Sequence, residues 1–222
     1  MYRLVECLTQ EHSLWLVAIA ALVCIVGSCL SVRLAVRLVQ ASPRRKMVHL
    51  ALTSLIAGAT IWSTHFIAML AYDPGFNHAY EPSLTGLSLF VAIFGVMASN
   101  TVLAYTSRRS YALLSGTLFG LTVSAMHYLG MEAYQLPGHI IWKTGTQVAS
   151  VVLGVILGIF AYQRVTPPIT RYHSIGGSFF MVLSICTMHF TGMSAIEIQL
   201  DPRTIVPPRA ISEVVAEFRT GC

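Results

Sequence analysis

The sequence has little charge, and this scarcity limits the kind of protein it encodes. Only 10% of its 222 residues are Asp, Glu, Lys or Arg, whereas soluble domains average roughly 25%. Hydrophobic side chains make up 55% of the chain and form long runs. About 20 apolar helical residues cross a bilayer core. The composition therefore excludes an ordinary water-soluble globule and predicts a protein surrounded by a lipid bilayer.

Other absences exclude several functions. The formal charge of +5 comes from short basic clusters between apolar runs rather than from a polar face, so no nucleic acid partner is expected. The five cysteines form no CxxC pair, which argues against a disulfide framework or a zinc knuckle. No acid pair, nucleotide-binding loop or activated nucleophile is apparent. We therefore expect no catalytic domain in this chain.

Six apolar runs, bounded by charged residues, Pro or Gly, predict six transmembrane helices. The predicted helices are 13–36, 48–72, 83–105, 111–133, 146–163 and 175–197. The expected fold is an all-α polytopic membrane bundle. It would form a transmembrane domain over residues 1–200, followed by a short polar tail at 201–222.

Basic residues are confined to alternate connections between these helices. The first, third and fifth connections, at 33–46, 108–109 and 164–171, contain arginine or lysine and no acid. The second and fourth contain three acids and a single lysine. Because cytoplasmic loops are enriched in Lys and Arg, the odd-numbered connections are predicted to be cytoplasmic. The N-terminus of this multi-pass protein is then outside.

A motif recurs three times without a gap, as THFIAM at 64–69, MHYLGM at 126–131 and MHFTGM at 188–193. Its histidines are spaced by 62 residues, and a methionine follows each histidine four positions later. The pairs are His65 with Met69, His127 with Met131, and His189 with Met193. The chain is thus predicted to contain three two-helix units of about 62 residues that share one orientation. In a pseudo-threefold bundle the three histidines can converge near the outer face.

The spacing of the motif favours a metal site. Positions i and i+4 lie on one helix face, so each helix offers one imidazole and one thioether to the same point. Met126 and Met188, which directly precede their histidines, point about 100° away and can contribute only from another angle. The first repeat has Thr64 at that position. These eight histidines and methionines are the candidate metal ligands.

Copper is the metal that this donor set favours. Imidazole binds several transition metals, but thioether sulfur is a soft ligand that prefers copper, especially Cu(I). Zinc is less expected, because its usual combination of Cys, His and carboxylate ligands is missing. Haem remains open, since axial ligation needs only two of these residues. A purely structural role competes with all three, because methionine in an apolar helix is usually packing.

The motifs resemble those of the MHYT domain, a bacterial integral membrane sensory domain named for a Met-His-Tyr-Thr pattern. The resemblance covers roughly residues 10–200, although the copies read THFI, MHYL and MHFT, and Thr64 departs from the pattern. It implies a signalling sensor in the bacterial inner membrane that binds copper and thereby senses a diatomic gas, such as oxygen, carbon monoxide or nitric oxide, or the redox state.

The resemblance also implies a cytoplasmic signalling output domain or protein as a partner. Two other functions stay open. A copper transporter or acceptor would need a second ligand set nearer the cytoplasm, and a haem-binding membrane protein would use the same histidines as axial ligands.

Overall fold

The computed structural model describes residues 13–72, 78–105, 109–166 and 170–201, without the side chains of Arg109 and Leu200. Within these ranges the chain forms six α-helices, each long and apolar enough to cross a membrane. The helices are α1 (Leu14–Gln40), α2 (Pro43–Ala71), α3 (Pro82–Tyr105), α4 (Arg109–Glu132), α5 (Thr144–Gln163) and α6 (Arg171–Ser194). The predicted all-α membrane bundle is confirmed. The predicted tail lies outside the described residues, apart from Asp201.

The first two helices are longer than their apolar runs. Helix α1 continues to Gln40 rather than ending at 36, and α2 begins at Pro43 rather than at 48. Proline is compatible with the first turn of a helix, where no backbone N–H is needed. Arg44 and Arg45, predicted to lie in a connection, are therefore helical. Long basic side chains reach water from a helix end, so charge does not terminate these helices.

The prediction of the last helix over 175–197 is wrong at both ends. Helix α6 begins at Arg171, after Thr170, whose side-chain oxygen accepts a hydrogen bond from the backbone N–H of His173 at 3.3 Å. The helix ends at Ser194, and a strand follows at once. Glu197 thus lies on a strand, where its carboxylate is 3.2 Å from the ammonium of Lys143. The alternating Ile-Glu-Ile-Gln-Leu pattern suits a strand with one buried face.

Four short strands form two antiparallel sheets that the helical prediction did not include. The strands are β1 (Ala79–Tyr80), β2 (Tyr134–Gln135), β3 (Gly138–Trp142) and β4 (Ile196–Leu200). Strand β1 pairs with β2, and β3 pairs with β4. They lie where α2, α4 and α6 end, and we call this end of the bundle the strand end.

The strand pairing follows the same repeat as the helices. Shifting the pair Ala79–Gln135 by 62 residues gives the pair Ile141–Glu197, and both pairs occur in the structure. The neighbouring pair of β1 and β2 obeys the same shift. The repeat therefore extends beyond the helices, and each sheet ties the end of one motif-bearing helix to the segment that precedes a partner helix.

The six helices form a ring in which each packs against its neighbours in the chain and α6 returns to α1. The motif-bearing helices are the more buried. In the most apolar 18-residue stretch of α2, α4 and α6, 56%, 56% and 44% of the residues are buried, against 28%, 39% and 22% in α1, α3 and α5. The repeated helices therefore form the interior, and their partner helices face the bilayer.

Glycines allow α4 and α5 to approach closely. A Cβ atom on Gly116 would lie 2.4 Å from the Cα atom of Ile159, and one on Gly120 would lie 2.5 Å from the Cα atom of Val155. Without a hydrophobic drive between helices in lipid, such close backbone contact is a main source of helix association.

The opposite end of the bundle, which we call the basic end, carries the arginines of the helix ends. Lys46 also lies there and donates a hydrogen bond from its ammonium to the carbonyl oxygen of Ala104, at 2.6 Å. Ala104 is in the last turn of α3, where carbonyl groups lack helical partners and a cation is favourable. The ammonium of Lys46 therefore also satisfies a carbonyl group at the C-terminal end of α3.

We expect the strand end to lie outside the cytoplasm, because basic residues favour the cytoplasmic side. His139 and Arg164 are both exposed, at the strand end and the basic end respectively. In a variant whose five cysteines are replaced by serine, His139→Cys should react with a membrane-impermeant maleimide in intact cells. Arg164→Cys should react only after the cells are permeabilised. The reverse pattern would mean that the N-terminus is cytoplasmic.

Candidate metal centre

Three histidines from three different helices meet at the centre of the bundle. The Nδ1 atom of His65, on α2, lies 3.2 Å from the Nδ1 atom of His189, on α6, and 3.2 Å from that of His127, on α4. The ring centroids are 4.9–5.2 Å apart, and the ring planes are nearly perpendicular. The structure thus brings together the three histidines that the repeat predicts to converge.

Glycine in one repeat makes room for the histidine of the preceding one. A Cβ atom on Gly130 would lie 2.5 Å from the Nε2 atom of His65, and one on Gly192 would lie 2.5 Å from the Nε2 atom of His127. Each contact follows from the other by the 62-residue shift. Real Cβ atoms do not approach another atom this closely, so a larger residue would force the ring to move. The glycine therefore positions the imidazole.

The three imidazole rings are buried, and some of their nitrogen atoms have no hydrogen-bond partner in the described part of the chain. His65, His127 and His189 are 2%, 1% and 5% exposed. The Nε2 atoms of His65 and His127 have no hydrogen-bond partner among the described residues. A buried polar group without a partner destabilises the fold. Ring nitrogens that face each other at 3.2 Å also repel unless a proton or a cation lies between their lone pairs.

The spacing of the Nδ1 atoms suits coordination of one metal ion. Two nitrogens bound to an ion at about 2.0–2.1 Å, with bond angles between tetrahedral and trigonal, lie about 3.3–3.6 Å apart. The two separations that involve His65 are 3.2 Å. Among the residues that the structure describes, this is the one group of three or more His, Cys, Asp or Glu side chains whose ligand atoms converge, all within 4.8 Å of one another. The residues fit a metal ion held by three histidines.

Three predicted methionine ligands pack together one turn beyond the histidines. Met69, Met131 and Met193 are buried and belong to one apolar cluster, together with Phe66 and the tyrosines of β1 and β2. The cluster lies toward the strand end. Three thioethers therefore lie in a common apolar environment one helical turn, about 6 Å, from the imidazoles along the helix axes. Their role as ligands stays a prediction.

The other two predicted methionine ligands occupy different surroundings. Met126 and Met188 are fully buried in the main core, which also contains Phe119 and Ile61. The thioethers on the two sides of the histidines thus belong to separate clusters. The surroundings of Met126 and Met188 are those of packing residues, and a ligand role for them also stays a prediction.

An aromatic cover at the strand end was missed by sequence reasoning. Tyr80 lies opposite Tyr134 in the β1–β2 pairing, with ring centroids 5.5 Å apart. The His78 ring is 5.2 Å from the Tyr134 ring, and Phe66, next to His65, is 5.7 Å from Tyr80. Tyr134, seven residues after His127, shares its helical register, and His78 is a loop histidine predicted near the outer surface, but nothing in the sequence marks Tyr80. Strand pairing alone brings them over the methionine cluster.

A second polar layer, also missed, lies nearer the basic end. The phenol of Tyr162 donates to the side-chain oxygen of Asn100 at 2.9 Å, and the amide of Asn100 donates to the hydroxyl of Ser54 at 3.3 Å. Asn100 and Tyr162 are themselves 62 residues apart. Asn100 is fully buried, and hydrogen bonds between helices satisfy such groups in a membrane. The layer links α2, α3 and α5 beneath the histidines.

Comparison with known proteins identifies relatives over the whole described bundle. The MHYT family model, described as a bacterial signalling protein N-terminal repeat, matches residues 58–116, 120–177 and 183–218. An uncharacterized signaling protein of Caulobacter vibrioides is 39% identical over 223 residues, covering 100% of this chain and 27% of that protein. No solved structure matches the chain.

Two relatives from Pseudomonas aeruginosa have more specific names. The cyclic di-GMP phosphodiesterase NbdA is 32% identical over 157 residues, which cover 66% of this chain and 20% of that protein. The bifunctional diguanylate cyclase/cyclic di-GMP phosphodiesterase MucR is 30% identical over 201 residues, which cover 87% and 29%. This chain therefore corresponds to less than a third of the length of each relative.

Replacing Gly130 by alanine tests how the glycine positions His65. We expect Gly130→Ala to lower the free energy of unfolding by about 1–3 kcal/mol, because the added methyl group overlaps the imidazole. Gly86→Ala is the matched control, since a Cβ atom there has nothing within 4 Å. Thermal unfolding of both variants in detergent measures the difference. Equal stability of Gly130→Ala and the unmodified protein would contradict the packing described here.

Proposed function

This chain belongs to the MHYT family of bacterial signalling repeats, and from that premise we propose that its three histidines hold a copper ion whose state is the signal that the membrane domain senses. The observation that carries the proposal is the convergence of three buried Nδ1 atoms, one from each repeat. Membrane histidines that face the interior of a bundle are typical of functional sites.

The donor set supports copper over other ions. Three imidazoles suit several transition metals, but the thioethers of Met69, Met131 and Met193 follow one turn later in a closed apolar cluster. Soft sulfur ligands and apolar surroundings favour Cu(I). Haem is less favoured, because the imidazole rings pack with centroids 4.9–5.2 Å apart. That packing leaves no space for a porphyrin between them.

Sensing is supported by the origin of the ligands. Because each histidine comes from a different interior helix, a change in oxidation state or the arrival of oxygen, carbon monoxide or nitric oxide would alter three helices at once. Only a ligand that interacts differently with two packings can shift their balance. Helices α2, α4 and α6 each extend from the centre to the basic end. They can therefore transmit a change at the ion across the bilayer.

The output would be cytoplasmic turnover of a second messenger. The relatives named as a cyclic di-GMP phosphodiesterase and as a bifunctional diguanylate cyclase are much longer than the matched segment. We infer that this region is the non-catalytic input of such a system in the bacterial inner membrane, with its N-terminus outside. The catalytic partner is a linked domain or a separate protein.

Copper transport is less well supported. Transport across the bilayer needs a second ligand set nearer the basic end, for which the sequence offers only His49, His173, Cys24, Cys29 and scattered methionines. Within the described residues, these histidines and cysteines do not form a cluster of the kind seen at the histidine centre. Uptake of copper into proteoliposomes would revive this alternative.

Metal analysis of purified protein tests the proposal. We expect stoichiometric copper in the unmodified chain and a loss of most of it in His127→Ala, because one of three ligands is removed. His139→Ala is the matched control, since His139 is exposed on β3 and outside the centre. Absence of copper from the unmodified protein after loading with Cu(I), or an unchanged content in His127→Ala, would contradict the proposal.

Isosteric substitutions separate the two groups of methionines. Met131→Leu should weaken Cu(I) binding by at least about tenfold, the scale on which even outer partners of a metal site act. Met126→Leu should leave the affinity unchanged, because Met126 belongs to the main core. Both substitutions nearly conserve volume and should be tolerated. Competition with a Cu(I) chelator measures the affinities, and equal effects of the two substitutions would contradict the assignment.

A further inference from the structure

Two cysteines from the first and last helices are in contact. The Sγ atom of Cys24, on α1, lies 3.9 Å from the Sγ atom of Cys186, on α6, and both residues are free thiols. Cys24 is fully buried, whereas Cys186 is half-buried. Cys29, on the same helix as Cys24, is also a free thiol and is partly exposed. Two thiols separated by 162 residues in the chain thus meet in the interior.

The thiol pair lies at the closing seam of the helix ring and next to the histidine centre. Helices α1 and α6 are the two neighbours in the ring that no connection joins. Cys186 precedes His189 by three residues, so the two lie one turn apart on the same side of α6. A change at this pair therefore acts on the segment of α6 that carries His189.

A groove on the same seam lies beside the thiol pair, toward the basic end. It has a volume of about 850 Å³ and lies between α1 and α6. Its lining includes Ile25, which follows Cys24 in the sequence, and Val182, one turn before Cys186. Cys29 also lines the groove, whereas Cys24 and Cys186 do not. Arg33 and Arg171 also line the groove. Such a groove admits a flat, lipid-soluble molecule more readily than an ion.

Physical chemistry in a bilayer favours a disulfide at this pair. Conversion of two thiols to a disulfide releases two protons together with two electrons, so no charge remains in the apolar interior. A thiolate or a metal dithiolate would leave negative charge there, which is costly. A disulfide has an S–S bond of about 2.05 Å. Each sulfur atom therefore needs to move by only about 1 Å from its present place, which side-chain rotation provides.

We propose that Cys24 and Cys186 form a redox site, distinct from the histidine centre, that a membrane quinone oxidises from the adjacent groove. One S–S bond forms, two S–H bonds break, and the two protons and two electrons reduce the quinone to a quinol. The disulfide links α1 to α6 covalently one turn from His189. The oxidation state of the quinone in the bilayer thereby controls whether α6, which carries His189, is linked to α1.

The test uses the full chain, with Cys7 and Cys222 replaced by serine, in lipid nanodiscs without oxygen. Addition of a short-chain ubiquinone analogue should consume two thiols per chain and produce one quinol. Mass spectrometry of peptides without reduction should then show a Cys24–Cys186 linkage. Cys29→Ser, the matched control on α1, should behave in the same way, whereas Cys24→Ser and Cys186→Ser should lose no thiols and produce no quinol.

A second variant tests the route. Val182→Trp fills the groove without removing a cysteine, and it should slow oxidation by the quinone about tenfold, because thiol oxidation depends on access. Oxidation by hydrogen peroxide, which is small, should be unaffected. A linkage that includes Cys29, or thiols that persist in the unmodified pair with quinone present, would overturn the proposal. Copper content in Cys24→Ser should be normal, because the variant keeps all three histidines. The copper proposal and the thiol proposal can therefore be contradicted independently of each other.

Discussion

Three imidazole rings share a single buried space at the centre of this bundle, and the surrounding architecture depends on keeping them there. Their Nδ1 atoms are 3.2 Å apart in two of the pairs, which is close enough for a shared proton or a shared ion and too close for unprotected lone pairs. The glycine that precedes the motif methionine in the next repeat accommodates each of two rings. The same residue spacing thus determines both the site and the helix packing around it.

The bilayer explains why the two kinds of helix differ. The interior helices carry histidine, threonine and serine, whose polar groups need partners in a medium without water. The outer helices are more uniformly apolar and cover them. Where polar residues occur on the outer helices, as at Asn100 and Tyr162, they point inward and bond to each other. Lipid-facing surface and polar interior are therefore separated within each repeat.

The histidine centre is covered at the strand end and is connected to the basic end by continuous helices. Aromatic rings from paired strands cover the methionine cluster. In the other direction the interior helices run uninterrupted to the basic end, and the Asn100–Tyr162 layer joins them to the outer helices. A thiol pair at the α1–α6 seam adds a second chemistry one turn from His189. If both proposals hold, the membrane domain would respond to the state of the ion and to the oxidation of the thiol pair.

The sequence by itself determined the six membrane spans, the threefold repeat and the identity of the central histidines. Each of these depends on a local quantity: the length of an apolar run, or a motif that recurs at a constant spacing. The ends of helices were less predictable. Arg44 and Arg45 lie within a helix because long side chains reach water, and Glu197 lies on a strand because β3 offers it a partner.

Only the tertiary structure decided which neighbours the histidines have. The separation of Met126 from Met131, the pairing of Tyr80 with Tyr134 and the contact of Cys24 with Cys186 all depend on how helices rotate and which segments meet across the bundle. Periodicity within one helix carries no information about those rotations. Residues that are distant in the chain become neighbours through helix packing. The apolar pattern is compatible with many packings, and the folded bundle has one of them.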